Sequence, residues 1–277
     1  MIDFTVRIGI FLTLLSILLA WQWQRPRKPL RWAAQRWRHN AALLLTDALC
    51  VRLLQPLLLS LVALLNSNNG LLHSLNLPYW LIFILSLVFL DALIYWQHRL
   101  FHRIPWLWRI HKVHHSDPEL DVSSAVRFHP VEIILSLMIK ACAVWLLGVP
   151  LAAVLVFDIL LNGFAMFNHT NIRLPNRFEP WVRALIVTPD MHRIHHSRLP
   201  QEAHSNFGFC LSIWDRCFHS NTTRALNGDE QLSIGLPSPS YSPPPSFISL
   251  IVMPFAASSV ATGHTTSNNK PPIKRDK

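Results

Sequence analysis

The stretch LPYWLIFILSLVFLDALIYWQHRLFH, from Leu77 to His102, decides the fold. Its first half carries no charge and opens on Pro78-Tyr79-Trp80, so it reads as a helix entering a membrane through an aromatic interface. Its second half departs from that composition. Asp91, Tyr95, His98 and His102 fall at i, i+4, i+7 and i+11, one stripe down a single helix face. An acid inside a membrane span is costly unless paired and marks function by default. Asp91 and Tyr95 are therefore expected to support the histidines from behind. Pairing of Asp91 with Arg52 of a neighbouring helix is the alternative.

The rest of the chain agrees with a membrane setting. Of 277 residues, 51% are hydrophobic and only 14% charged, whereas soluble domains carry about 25% charge. Disorder, fibrous structure and a water-soluble globule are excluded. Besides the span at 77–97, residues 4–24, 41–65, 131–149 and 151–168 approach the length needed to cross a bilayer. The second is weakened by Asp47, Arg52 and Pro56. The last two are separated by Gly148-Val149-Pro150, a tight reversal, so they form a hairpin whose full crossing stays open. The first apolar run, Ile8–Trp23, has only Arg7 ahead of it and no small-x-small site behind, so a retained helix is expected. The fold class is an all-α integral membrane protein with four to five membrane helices and a cytoplasmic helical, histidine-rich cap.

Charge sets the orientation. The net charge of +10 invites a nucleic-acid reading, but its placement argues otherwise. Arg25, Arg27, Lys28, Arg31, Arg36 and Arg38 follow the first apolar run directly, while segments 66–76 and 148–150 hold no Lys or Arg. That bias is the positive-inside pattern. It places 25–40, 98–130 and 169–277 together in the cytoplasm, so the chain is multi-pass with a cytoplasmic C-terminus, and nucleic acid is no partner. Cys50, Cys142, Cys210 and Cys217 form no CxxC pair, and reduced thiols are expected. Beyond 225 the chain turns rich in Pro and Ser. Residues 247–261 are apolar but too short to span, and the last sixteen read as a disordered basic tail.

Ten of the fifteen histidines fall between 98 and 196: His98, His102, His111, His114, His115, His129, His169, His192, His195 and His196. They include HxxxH at 98–102 and HxxHH at 111–115 and 192–196. Residues at i, i+3 and i+4 share a helix face, so each block can aim two or three imidazoles at one point. A lone histidine is usually a solvated or hydrogen-bonded ring, and His39, His73, His204, His219 and His264 are read that way. Three blocks with helical spacing read as a metal site. Their number exceeds what one ion binds, so two metals are implied. Imidazole suits zinc, copper, iron and nickel alike. Asp91, Asp190 and Asp215 are the carboxylates expected to offset the metal charge from behind the ligands, with Glu132 after them.

The runs Asp91-Ala-Leu-Ile-Tyr95-Trp96-Gln-His98-Arg99-Leu-Phe-His102 and His111-Lys-Val-His114-His115-Ser116 resemble the fatty acid hydroxylase/sterol desaturase superfamily. So do Arg127-Phe-His129-Pro130-Val-Glu132, Asn168-His169-Thr-Asn171, Thr188-Pro189-Asp190-Met-His192-Arg-Ile-His195-His196-Ser197, Asn206-Phe-Gly208 and Leu211-Ser-Ile-Trp214-Asp215-Arg216. The resemblance covers about 80 to 220. It divides the chain into N-terminal membrane helices with a basic loop (1–76), a catalytic domain (77–225) and a tail (226–277). It implies a di-iron oxygenase whose ligands are the three blocks, with His169 matching an isolated histidine of the family's third region. His129 matches a position of the sterol branch. Cys217-Phe218-His219-Ser220 departs from the family, which commonly reads Leu-Phe-Gly-Thr there.

The function that follows is hydroxylation or desaturation of an unactivated C–H position of a lipid, whether sterol, fatty acyl or related. Two Fe ions, dioxygen and two electrons from an external ferredoxin- or cytochrome-type donor are implied. A substrate tunnel between the helices is expected to be lined by residues such as Leu93, Phe157 and Phe164. Two rival classes remain: a di-zinc membrane hydrolase and, further off, a metal transporter. Transport sites sit near the bilayer midplane, whereas these histidines gather past the ends of the spans.

Overall fold

The computed structural model describes residues 4–64, 70–237 and 244–256. The apolar runs become α1 (Phe4–Gln24), α2 (Ala33–Leu64), the one-turn α3 (Leu71–Ser74) and α4 (Tyr79–Arg103). They are followed by α5 (Pro105–His115), α6 (Pro130–Leu147) and α7 (Leu151–His169). Short helices complete the chain: α8 (Glu179–Leu185), α9 (Pro189–His195), α10 (Pro200–Ala203), α11 (Ile213–Cys217) and α12 (Phe247–Val252). Among the described residues β-structure is confined to two isolated bridges, Ile186 with Leu211 and Ser197 with Ile234. The all-helical reading holds, and α1, α2, α4, α6 and α7 are each long and apolar enough to cross a membrane.

Helix α2 shows an inverted pattern suited to lipid. Leu45, Leu49, Leu53, Leu57 and Leu61 repeat every fourth residue and face outward, while Arg36, Asn40, Leu43 and Asp47 are buried. The helix also begins earlier than the span expected from 41. Arg36 explains the difference, because its charge lies in the protein interior and not in water. Its guanidinium donates to Asp117 Oδ1 at 2.5 Å, Asp121 Oδ2 at 2.8 Å and Ser124 Oγ at 3.0 Å. Arg27 likewise ion-pairs with Asp190 and with Asp229. Two cations of the basic cluster thus tie the N-terminal segment to the histidine-bearing cap.

Leu90 and Ile94 of α4 pack with Val144 of α6 and Val154 and Phe157 of α7 to form the main apolar cluster. The α6–α7 reversal turns on Gly148, whose φ of 69° is left-handed, a conformation that glycine adopts without steric cost. Gly70 packs so closely on it that a Cβ there would run into the Gly148 backbone. At the other end of the bundle, Gln22 of α1 accepts the N–H groups of Val122 and Asn171. The apolar segment read at 247–261 begins as α12, whose Leu250 is buried against Leu43 and Val113. Residues 257–261 of that segment and the tail expected to be disordered lie outside the described residues.

Candidate metal centre

Each histidine block sits where a helix ends. His98 and His102 close α4, and the chain then breaks at Ile104-Pro105 to start α5, which ends in His111, His114 and His115. His169 is the last residue of α7. Helix α9 is capped by Thr188, opened by Pro189 and delivers His192 and His195, with His196 just beyond. These ends converge on two groups. One holds His98, His102, His111, His115 and His195; the other holds His114, His169, His192 and His196. In each group one nitrogen per ring lies within 4.8 Å of all the others, and every ring is buried. The groups adjoin, with the rings of His115 and His196 stacked at 4.3 Å.

The protons of these rings can be assigned from their partners. His98 Nδ1–H donates to the Phe207 carbonyl at 2.9 Å, His195 to Ser205 at 2.8 Å, His114 to Arg127 at 3.2 Å and His169 to Ala165 at 2.7 Å. A carbonyl carries no proton, so each ring nitrogen must be the donor. His111 Nδ1–H donates to Glu132 Oε1 at 2.7 Å. A neutral ring so arranged presents a lone pair at Nε2, and the Nε2 atoms of His98, His111 and His195 have no protein partner. Burial, with the neighbouring imidazoles adding to it, holds His114, His115, His192 and His196 well below the usual histidine range. Burial likewise pushes His195 down to about 3. These five rings are neutral.

In the second group His114 Nε2 and His169 Nε2 stand 3.1 Å apart, lone pair towards lone pair. His192 Nε2 lies 3.0 Å from that of His169 and 3.1 Å from that of His196. A single proton on Nε2 of His192 or His196 could satisfy only one of these contacts. Such crowding of lone pairs is repulsive unless a cation lies among them, so the donor set fits a metal in each group.

His129 stands apart from both groups. Its Nδ1 accepts the Val131 N–H at 3.2 Å as the cap of α6, and its Nε2–H donates to the Ile251 carbonyl at 3.1 Å. Both ring nitrogens are used, and neither is left to bind an ion. Of the four carboxylates weighed from the sequence, Glu132, ranked last, is the one that touches a clustered ring. Asp91 accepts N–H groups from Cys210, Leu211 and Trp214. Asp215 accepts from Phe207, Gly208 and Ser220, and Tyr95 O–H meets Ser220 Oγ at 2.7 Å. Tyr95 and Asp215 therefore act through the segment that presents the Phe207 carbonyl to His98. Asp190 is engaged with Arg27.

Sequence reasoning missed Arg127 as a support. Fully buried, it donates to Val113 O, Asn40 Oδ1 and Ser116 Oγ, and its own carbonyl orients His114. The backbone acceptors at Ala165, Ser205 and Phe207 left no side-chain signal to read. The departure at His219 falls on a left-handed residue with φ of 54°, where the family's glycine would be unstrained.

A cavity of about 760 Å³ reaches His98, His111 and His114 and runs between α1, α2, α4, α6 and α7. Phe11, Leu14, Phe101, Phe128 and Met166 line it. Leu93, Phe157 and Phe164 do not. Phe157 instead fills the apolar cluster between α4, α6 and α7, where it is 1% exposed.

Residues 83–220, which carry every histidine of both groups, match the model of the fatty acid hydroxylase family. Over those residues the chain belongs to the fatty acid hydroxylase family. Among relatives of this chain, the ornithine lipid hydroxylase OlsE of Rhizobium tropici is 33% identical over 133 residues, 48% of this chain and 39% of that protein. The alkylglycerol monooxygenase of Danio rerio is 31% identical over 154 residues, covering 53% of this chain and 32% of its own. That of Homo sapiens is 30% identical over 151 residues, 52% and 31%. The match thus spans at most about two fifths of these curated relatives. No solved structure matches the chain significantly.

Proposed function

We propose that this protein is a membrane-bound non-haem di-iron oxygenase that hydroxylates an unactivated C–H position of a lipid. The observation that carries the reading is the pair of lone-pair clusters beside a largely apolar cavity among membrane helices. The names of its relatives, a lipid hydroxylase and monooxygenases, favour hydroxylation over desaturation. Iron held by the five-histidine and four-histidine groups would supply reductive activation of dioxygen and removal of hydrogen from an alkyl carbon.

The chain's own residues do the rest. Carbonyls of Phe207, Ser205, Arg127 and Ala165 fix the ring tautomers that present Nε2. Glu132 makes His111 a more basic ligand and brings negative charge to an otherwise neutral ligand set. The apolar lining by Phe101, Phe128 and Met166 excludes water and holds an alkyl chain against the histidines. Two electrons come from an external ferredoxin- or cytochrome-type donor, and the basic cytoplasmic face suits an acidic one.

The test is anaerobic purification with ferrous iron, followed by metal analysis and turnover with a lipid, a reductant and isotopically labelled dioxygen. Two ions per chain, one for each group, and product oxygen drawn from dioxygen are expected. Zinc that iron cannot displace, with product oxygen drawn from water, would replace this reading by the hydrolase.

A further inference from the structure

The cavity has a polar wall with oxygens that the histidine clusters leave without a partner. Asp47 of α2, Gln97 of α4 and Glu132 of α6 all line it, together with His98 and His111. Each carries an oxygen without a hydrogen-bond partner: Asp47 Oδ1, Gln97 Oε1 and Glu132 Oε2. Asp47 is 6% exposed and Glu132 4%. Buried polar atoms are otherwise paired in folded proteins, so three orphans on one cavity call for a partner. Their other atoms are committed where this can be traced. Gln97 Nε2 donates to Ser136 Oγ at 2.7 Å, and Glu132 Oε1 holds His111.

Asp158, in the same cavity, provides the contrast. Its two oxygens take Lys140 at 2.6 Å and Gln55 at 2.8 Å, with Arg7 at 3.5 Å. That carboxylate is saturated within the protein. Two of the orphans lie beside the histidines, since Gln97 adjoins His98 in sequence and Glu132 touches His111, and Asp47 lines the same cavity. Each of the three orphan oxygens can accept a hydrogen bond, and none of the three side chains is a cation.

We propose that Asp47, Gln97 and Glu132 form a recognition site for a hydrogen-bond-donating head group, a hydroxyl or an ammonium, on the lipid that fills this cavity. Asp47 lies outside the family match, so this wall is partly supplied by the N-terminal helices. The head group sits beside His98 and His111 while the alkyl remainder lies along Leu14, Val51 and Leu161. The oxidised carbon is then close to the polar end of the lipid and not far down its chain. This position deepens the oxygenase reading and rests on it; the head-group preference does not require turnover.

The experiment uses the full-length protein with the metal it carries on purification, kept anaerobic in nanodiscs without reductant, and two probe pairs in competition, read by native mass spectrometry. One pair is 1-O-hexadecylglycerol and its 2,3-dimethyl ether; the other is hexadecylamine and hexadecyltrimethylammonium. A preference of about tenfold or more for the donor-bearing member of at least one pair is expected. It should fall to within about twofold in Asp47→Leu. Asp47→Asn keeps a carbonyl acceptor without charge, so it should retain a hydroxyl preference and lose an ammonium one, which separates the two head groups. Should Asp47→Leu fail to insert, Gln97→Leu removes a second of the three oxygens and should lower the preference likewise. Equal affinity within both pairs means that water satisfies the orphans, and a preference undiminished in the variants places recognition elsewhere; either overturns the proposal. Because binding is read without dioxygen or reductant, these outcomes are independent of turnover and of the source of product oxygen, which decide the oxygenase reading.

Discussion

An imidazole binds a metal only through a nitrogen that carries no proton, and this separates His129 from the nine clustered rings. Its Nδ1 caps α6 and its Nε2–H is spent on the Ile251 carbonyl, so its loss should be structural. His129→Ala is expected to lower stability by about 1–2 kcal/mol while two ions per chain remain. His114→Ala should leave about one, because it opens the four-histidine group. Metal analysis beside a thermal melt checks both, and a His129 variant that lost an ion would restore it as a ligand. Glu132 acts one bond further out. Glu132→Gln keeps an oxygen facing His111 but removes the charge that raises its basicity, so metal affinity should fall about 10–100-fold. Chelator competition measures this, and unchanged affinity would reduce Glu132 to a spacer.

Helix α2 shows how an element can be legible in one respect and not in another. Its leucines every fourth residue announce a membrane helix, and they form its outward, exposed face. Its inner face was misread, because Arg36 looks in sequence like one more topology-setting cation. Nothing local to Arg36 points to Asp117 and Asp121, which are distant in the chain and become neighbours only when the cap folds over α2. Burial alone would raise the Asp117 carboxyl, but the charges of Arg36 and Arg127, with hydrogen bonds from Arg36 and Ser124, outweigh it and hold the group below its usual range. A depressed folded pKa means that the unfolded chain binds the proton more readily. Stability from this group is complete above the unfolded value of about 4 and is lost as pH falls through the folded one. Acid unfolding monitored below that pH should therefore be less steep in Asp117→Asn than in the parent. Arg36→Met should cost about 3–5 kcal/mol at neutral pH, since it strands two buried carboxylates; a melt within a degree or two of the parent would show that the network contributes little.

At the scale of the whole molecule, the metal centre was legible because helical spacing converts directly into shared faces, and three blocks ending three elements can meet only at one end of a bundle. The cavity was less so. Its lining mixes α1 and α2 with the family core, and which apolar residues face a void and which fill the core, as Phe157 does, depends on how five helices cross. Sidedness follows from charge alone and can be tested with the chain's own cysteines. Cys217 is exposed on the cap, in α11, whereas Cys142 lies on α6 among residues that would face lipid. If the basic segment 25–40 is cytoplasmic, the cap that Arg27 and Arg36 bind must be on that side too, because ion pairs cannot form across a bilayer. In a variant with Cys50 and Cys142 replaced by alanine, a membrane-impermeant maleimide should label Cys217 in inside-out vesicles and spare it in intact cells. Labelling from outside would invert the whole molecule, histidines included, since the cap cannot be turned over without breaking those pairs.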